Sequence, residues 1–404
     1  MKKIIGGVII FTTMFFLPSI VNAAPANPAF TNDAFYSCVV NAYNRENDTD
    51  YGYDTNLTDE QLATIKELQC NNIEDNINYP NLTNMTGVEK LTGLGYVSVI
   101  GTDLMSADLS QNPNVHEIHF KNNNLKTINI NKNLIRWVEI AESQLEHLDL
   151  SNASNLYYVE LWTPSLKSLD VHSTPGLKRL YVYDGPLTSL NLNGTTSLEE
   201  LELRHTNLPS LDLSANSSLR TVVFFNNIVG SYNFGTGESL ASVGVALHAG
   251  EKLDLRSLPS LKELNLLVDG VNEESIVALN PGVNVIVWNI TDEAYFNSLI
   301  QSMTNPDIIS DNGDGGFITV GKGTSLITLE DNSTFRLLVG EGELDYGTPS
   351  TPGGDTGSSQ VDDTIENPNT GVDEYTILIV MGVVIILGGS IYYITKKKSM
   401  FKTM

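Results

Sequence analysis

The side chains able to do chemistry are few and dispersed. Cys38 and Cys70 are the only two cysteines. They form no C-x-x-C and have no neighbouring histidine, so thiol catalysis and zinc lack their usual ligand spacing. Outside a cell the pair has two outcomes. One is a disulfide, closing a loop of about 31 residues and adding about 3–4 kcal/mol in the chain-entropy picture. The other is two buried thiols. The six histidines are scattered, and His119 and His205 have no paired acids at metal spacing. Asp311, Asn312 and Asp314, with Gly313 and Gly315, hint at a calcium loop, but the EF-hand spacing is absent and an ordinary turn is the better reading. Phosphate loops, nucleophile elbows and zincin motifs are absent from the sequence. The expectation is a chain that is not an enzyme, with no catalytic residue, metal or cofactor.

One acidic row remains. Asp108, Asn129, Asp149, Asp170, Asn191, Asp212, Asn233 and Asp254 recur at one register. Each sits between the last two apolar residues of a triplet. A short acceptor there suits hydrogen bonds to backbone N–H groups at a turn. A metal or catalytic row is the rival reading. Asp149 and Asp170 are the adjacent acids, and two charges about 5 Å apart repel by about 3 kcal/mol at an effective dielectric of 20. Interleaved Asn avoids that cost, which favours a structural role.

The row exists because the chain repeats. The template L-x-x-L-x-L-x-x-x-x-L begins at Leu94, Val115, Ile135, Leu156, Leu177, Leu198, Leu219, Leu240, Leu261 and Gly282, spaced 21, 20 and then 21 residues throughout. The clearest unit is LEELELRHTNLPSLDLSANSSL, with triplets Leu198-Leu201-Leu203 and Leu208-Leu211-Leu213. One such coil cannot bury its apolar side, so neighbours stack and share a core. The first triplet of each unit predicts a strand, stacked about 4.8 Å from the next. The expected class is an α/β solenoid dominated by β: about ten 21-residue coils with a helical N-terminal cap and a small β-rich C-terminal cap.

Unit positions 3, 5 and 7 then point away from the core. All three tryptophans, Trp137, Trp162 and Trp288, fall on them. Trp, Tyr and Arg are enriched in binding hot spots. Trp137, Tyr158, Trp162, Tyr181 and Tyr183, ringed by Glu139, Glu160 and Arg179, form the candidate binding face. Aromatics also suit strands for packing reasons alone.

The segments LKSLDVHSTPGLKRLYVYDGPLTSLNL and LPSLDLSANSSLRTV resemble the 21-residue leucine-rich repeats of bacterial surface proteins broadly akin to internalins. The resemblance covers nearly half the chain. The asparagine that such repeats carry at the ninth position stands here only at Asn123 and Asn227; Thr102, Ser143, Pro164, Gly185, Thr206, His248 and Asp269 replace it elsewhere.

Ahead of the repeats, Phe35, Val39 and Ala42 mark a short helix. Thr58-Asp59-Glu60-Gln61 is a capping box, with Leu57 and Leu62 as a hydrophobic staple. Leu62, Ile65 and Leu68 predict one helical face, with Cys70 pointing inward. Behind the repeats, Glu293 to Met303 suits a short helix, and Phe317–Val320, Leu326–Leu329 and Phe335–Val339 suit short strands.

Both ends carry targeting patterns. Lys2 and Lys3, an apolar run to Leu17 and the small-residue site before Ala24 predict a secretory signal peptide. Residues 375–395 are uncharged, long enough to span a hydrocarbon core, and flanked by Lys396, Lys397 and Lys398, which predicts a cytoplasmic C-terminus. Asn367-Pro368-Asn369-Thr370-Gly371 before that span resembles the LPXTG sorting signal of Gram-positive surface proteins, with Asn367 where Leu is usual. The resemblance implies cleavage by a sortase between Thr370 and Gly371 and attachment to peptidoglycan; retention in the membrane is the alternative.

The expected organisation is a signal peptide (1–23), N-terminal cap (24–81), repeats (82–290), C-terminal cap or small β module (291–345), flexible linker (346–366), sorting motif (367–371), transmembrane helix (375–395) and cytoplasmic tail (396–404). Six of the 23 basic residues lie in the terminal segments, leaving 17 against 48 acids between Pro25 and Thr395. A chain so acidic repels nucleic acid. The expected function is non-catalytic binding of a protein or glycan ligand at the cell surface. A structural coat protein without a dedicated ligand is the first rival. An enzyme with its chemistry in 291–345, a segment without His or Cys, is the second.

Overall fold

The computed structural model describes residues 27–71, 79, 81–225, 232–291, 294–297, 300–311, 317–342 and 344. The signal peptide, linker, sorting motif, transmembrane span and basic tail expected above lie outside the described residues, as do Asn227 and Asn312 and Asp314 of the acidic turn. Among the described residues no helix is long and apolar enough to cross a membrane. The chain forms two units, dividing between Asn131 and Lys132.

In the first unit, helix α1 spans Asp33–Asn47, and the Asn32 side chain caps it by accepting from the Phe35 N–H at 2.8 Å. Its apolar stripe buries Phe35, Cys38, Val39 and Ala42 completely. Helix α2 spans Asp59–Thr64. Its capping box is made: the Gln61 N–H donates to Thr58 Oγ1 at 3.3 Å and the Thr58 N–H to Gln61 Oε1 at 2.9 Å. The expected helical face through Ile65 and Leu68 is corrected. The helix stops at Thr64, Ile65 is extended, and Leu68 and Cys70 alternate inward on a strand, Glu67–Asn71. Parallel pairing with Tyr96–Ile100 recruits this segment, and β-branched Thr64 and Ile65 suit the exit from the helix. Cys38 on α1 and Cys70 on that strand are joined, with sulfurs 2.02 Å apart. Tyr96–Ile100 pairs onward with Glu117–Lys121, and Ser106–Leu109 pairs with Thr127–Ile130 on the other side of the coils.

In the second unit, eight parallel strands form one sheet: Trp137–Ala141, Tyr158–Trp162, Arg179–Tyr183, Glu200–Arg204, Thr221–Phe225, Ser242–His248, Glu263–Asp269 and Asn284–Thr291. The ten template starts, from Leu94 to Gly282, thus each lead into a strand two residues later. Residues of one unit position pair with the same position in the next coil, as Trp137 with Tyr158 and Arg179 with Glu200. Val138, Ile140, Val159, Leu161, Leu180, Val182, Leu201 and Leu203 are at most 1 % exposed. Each contributes about 1.5–3 kcal/mol of apolar burial. The fold is a leucine-rich-repeat solenoid dominated by β-structure.

The acidic row makes turns. Asp149, Asp170, Asn191, Asp212, Asn233 and Asp254 each accept from the backbone N–H two residues on, at 2.8–3.3 Å. Asp108 in the first unit does the same. Asp149 and Asp170 face each other on neighbouring strands, and Lys132 lies 2.8 Å from Asp149. Burial raises the Asp149 pKa, but hydrogen bonds from Lys132 and Ser151 outweigh it and bring it down to about 2.

After three of the face strands the chain turns sharply, with Glu142, Asp184 and His205 at φ 51°, 60° and 53°. Thr163 does not take this left-handed form; Pro164 follows it, and the residue before a proline is steered to extended geometry.

The segment after Asn284–Thr291 corrects a second expectation. Ala294–Asn297 and Ile300–Met303 are strands, and no helix spans Glu293 to Met303 among the described residues. Ala294–Asn297 folds back antiparallel on Asn284–Thr291, and its aromatic pair Tyr295-Phe296 favours strand over helix. The three strands expected beyond it form as Phe317–Thr319, Gly323–Leu329 and Thr334–Val339. Thr334–Val339 pairs parallel with Ile276–Leu279, and Phe317–Thr319 pairs antiparallel with Asn284–Thr291, so this segment extends the face sheet and the sheet that holds Ile276–Leu279.

Candidate binding face

The outward side of the second unit's sheet gathers the side chains that the repeat places at positions 3, 5 and 7. In-register parallel pairing sets rings of adjacent coils side by side. Trp137 stacks on Tyr158, with centroids 3.7 Å apart and planes 16° apart. Tyr158 meets Tyr181 edge-on at 5.6 Å. Trp162 covers Tyr183 at 4.2 Å. Such pairs contribute about 0.5–1.5 kcal/mol each beyond their area. The Nε1 of Trp137 is buried without a hydrogen-bond partner among the described residues.

Carboxylates bind the rings from within the same face. Glu160 accepts from the Tyr158 hydroxyl at 2.5 Å and from Trp162 Nε1 at 2.8 Å. Glu200 accepts from the Tyr181 hydroxyl and from Arg179 Nε, the latter at 3.2 Å. Glu202 accepts from Arg204 Nε. The Arg204 guanidinium stands 5.8 Å from the Tyr183 centroid and 5.5 Å from that of Phe225, within cation–π range. Burial pushes the Tyr158 and Tyr181 phenols well above their ordinary range, and the hydrogen bonds to Glu160 and Glu200 push the same way. Burial also raises Glu202, against the opposing charge of Arg204. At neutral pH the phenols are therefore donors, fixed in direction by ionisable acceptors.

The structure brings all eight expected face residues together, with one correction. Position 7 is not uniformly outward: Tyr183, Arg204 and Phe225 are 7 %, 9 % and 5 % exposed. They cover one another, because a large side chain on each of three adjacent strands fills the space that a small one leaves open. Trp137, Glu139, Tyr158, Glu160, Trp162, Arg179 and Tyr181 are half-buried. Glu200, Glu202 and Arg204 join the site as partners of the rings. Their 21-residue offset from Arg179, Tyr181 and Tyr183 is the signal that would have found them.

No protein-family model matches the sequence, and no curated protein matches it. Among solved structures the chain is similar to internalins of Listeria monocytogenes. One (inlF) is 16 % identical, over 63 % of this chain and 73 % of that one, at a TM-score of 0.43. Another (InlP) is 13 % identical, over 78 % of this chain and 98 % of that one, at 0.38. A third, internalin C2, is 20 % identical, over 63 % of this chain and 92 % of that one, at 0.32.

Histidine chemistry is corrected in detail. His205 does have a paired acid: its Nδ1 lies 2.6 Å from Asp184 Oδ1, one coil back. In the first unit, His119 Nε2 lies 2.8 Å from Glu117 Oε1. Both are pairs rather than metal sites; no group of three His, Cys, Asp or Glu able to hold an ion occurs among the described residues. The candidate face offers rings, fixed donors and carboxylates, which is equipment for contact.

Proposed function

We propose that this protein is exported, held at the cell surface, and binds a protein or glycan without catalysis through the strand face of its second unit. Trp137, Glu139, Tyr158, Glu160, Trp162, Arg179, Tyr181 and Tyr183 carry the contact. The observation behind this reading is the ring cluster itself. Trp137, Tyr158, Trp162 and Tyr181 stay partly exposed although the core already holds an unbroken Leu, Val and Ile interior. Rings held by neighbours and by Glu160 lose little further freedom on binding, which suits a hot spot.

The tether belongs to the same proposal. A sortase joins Thr370 to peptidoglycan, releasing Gly371 and the apolar span; membrane retention through residues 375–395 is the alternative outcome. Cell walls boiled in detergent retain the protein in the first case and release it in the second.

The binding test is a screen of the full-length protein against host surface proteins, whole cells and a glycan array, with Trp137→Ala/Tyr158→Ala/Trp162→Ala beside it. A hit that weakens at least tenfold in the triple variant supports the face. No hit, or a hit unchanged by the substitutions, leaves the structural coat reading.

A further inference from the structure

Three carboxylates order the side chains of the candidate face, and one of them has no cationic partner among the described residues. Glu200 accepts from Arg179 Nε at 3.2 Å as well as from the Tyr181 hydroxyl. Glu202 accepts from Arg204 Nε, and the Arg204 guanidinium lies 5.8 Å from the centroid of Tyr183 and 5.5 Å from that of Phe225. Glu160 takes both of its hydrogen bonds from neutral rings, the Tyr158 hydroxyl at 2.5 Å and Trp162 Nε1 at 2.8 Å. The two arginines beside these rings are engaged by Glu200 and Glu202, so neither serves Glu160.

That difference matters because Glu160 is half-buried. A carboxylate partly withdrawn from water gives up hydration that an opposite charge replaces best. Its register partner on the preceding strand is a further acid, Glu139, which adds negative potential at the same place. The hydrogen bonds of Glu160 also leave a defined vacancy. Tyr158 donates to Oε2 and Trp162 to Oε1. Each oxygen has two lone pairs, so one remains on each. Two oxygens with one lone pair apiece match the paired N–H groups of a guanidinium fork. The face already shows the chemistry at Arg204, a guanidinium beside aromatic rings and bound to a glutamate.

We infer that Glu160, bordered by Tyr158 and Trp162, is the receptor for an arginine side chain of a protein ligand. The site rests on the reading that this face binds, and it narrows the ligand from protein or glycan to a protein presenting a basic residue. Charge complementarity selects the occupant. A sugar hydroxyl fills a lone pair but leaves the half-buried charge uncompensated. A guanidinium fills both lone pairs and neutralises the charge, and its plane packs on aromatic faces. A lysine ammonium neutralises the charge as a point, without the fork or the plane.

The test titrates full-length Trp288→Phe protein with N-acetyl-arginine methylamide, its lysine and glutamine counterparts, and cellohexaose. The Trp162 indole donates to Glu160, so its emission reports occupancy. A saturable change is expected with the arginine compound, weaker binding of the lysine compound by at least about threefold, and no response to the glutamine compound or to cellohexaose. Raising salt from about 0.05 to 0.5 M should weaken the arginine response, as an ion pair requires. Glu160→Gln should weaken it at least tenfold. That variant removes the charge while its amide still bonds both rings, since a tyrosine hydroxyl accepts as well as donates. Glu273→Gln, an exposed acid outside the face, should leave binding within about twofold. Circular dichroism confirms that both variants fold. No saturable response to the arginine compound, an equal response to the lysine compound, the glutamine compound or cellohexaose, or Glu160→Gln within twofold of its parent overturns the inference. The face is judged separately. A screen ligand lost in Trp137→Ala/Tyr158→Ala/Trp162→Ala but bound unchanged by Glu160→Gln retains the face and overturns the arginine site.

Discussion

Reduction of the Cys38–Cys70 bond should destabilise the first unit selectively. The two sulfurs close a loop with a sequence separation of 32. In the chain-entropy picture that constraint removes about 4 kcal/mol of unfolded-state freedom at room temperature. Both residues are fully buried between α1 and the strand Glu67–Asn71, so the thiols of the reduced protein stay packed and the loss is the cross-link itself. With a urea dependence of about 2 kcal/mol per molar, the midpoint should fall by about 2 M. Two probes separate the units. The two α-helices among the described residues lie in the first unit, and all three tryptophans lie in the second. Urea titrations of oxidised and reduced protein, followed by far-UV circular dichroism and by tryptophan fluorescence, should show the helical transition moving by the full amount and the indole transition moving less. An unchanged helical midpoint after complete reduction would refute the reasoning.

Two further outcomes follow from the turns. Asp149 has a folded pKa of about 2 against an ordinary 3.8, so it contributes stability that is present above pH 4 and lost as pH falls toward 2. Its side chain is 66 % exposed, which reduces the contribution to about 1 kcal/mol or less. Asp149→Asn keeps the turn, as Asn191 and Asn233 do, and should cost about 0.5–1 kcal/mol at neutral pH while flattening the acid limb of a stability–pH curve. Glu142 sits at φ 51°, where Asn is tolerated better than Glu. Glu142→Asn should therefore stabilise the protein by about 0.5–1 kcal/mol in chemical denaturation.

Repetition made much of this molecule readable. The 21-residue register placed Val138, Leu161 and Leu180 inside and Trp137, Tyr158 and Tyr181 outside, because parallel pairing keeps one unit position above the next. The Asp and Asn row was readable for the same reason: a short acceptor two residues before a free N–H makes a local turn wherever it recurs. What escaped was set by contacts between coils or by competition between segments. Tyr183, Arg204 and Phe225 looked outward by position and became buried because each is large and adjacent to the next. His205 looked unpaired because its acid, Asp184, is 21 residues away. Ile65 and Leu68 matched a helical stripe, yet an open strand edge at Tyr96–Ile100 drew Leu68 into the sheet and left Ile65 extended ahead of it. Ala294–Asn297 and Ile300–Met303 likewise paired with neighbouring strands rather than forming a local helix.

The central claim is that ligand meets the face at Trp137 and Trp162. Trp288, the third tryptophan, lies on the last of the eight face strands, away from the cluster. In a Trp288→Phe protein the indole fluorescence comes from Trp137 and Trp162 alone. Titrated with the ligand returned by the screen, that fluorescence should shift and saturate with the same midpoint as binding measured independently. A saturated complex with unchanged indole emission would contradict the account.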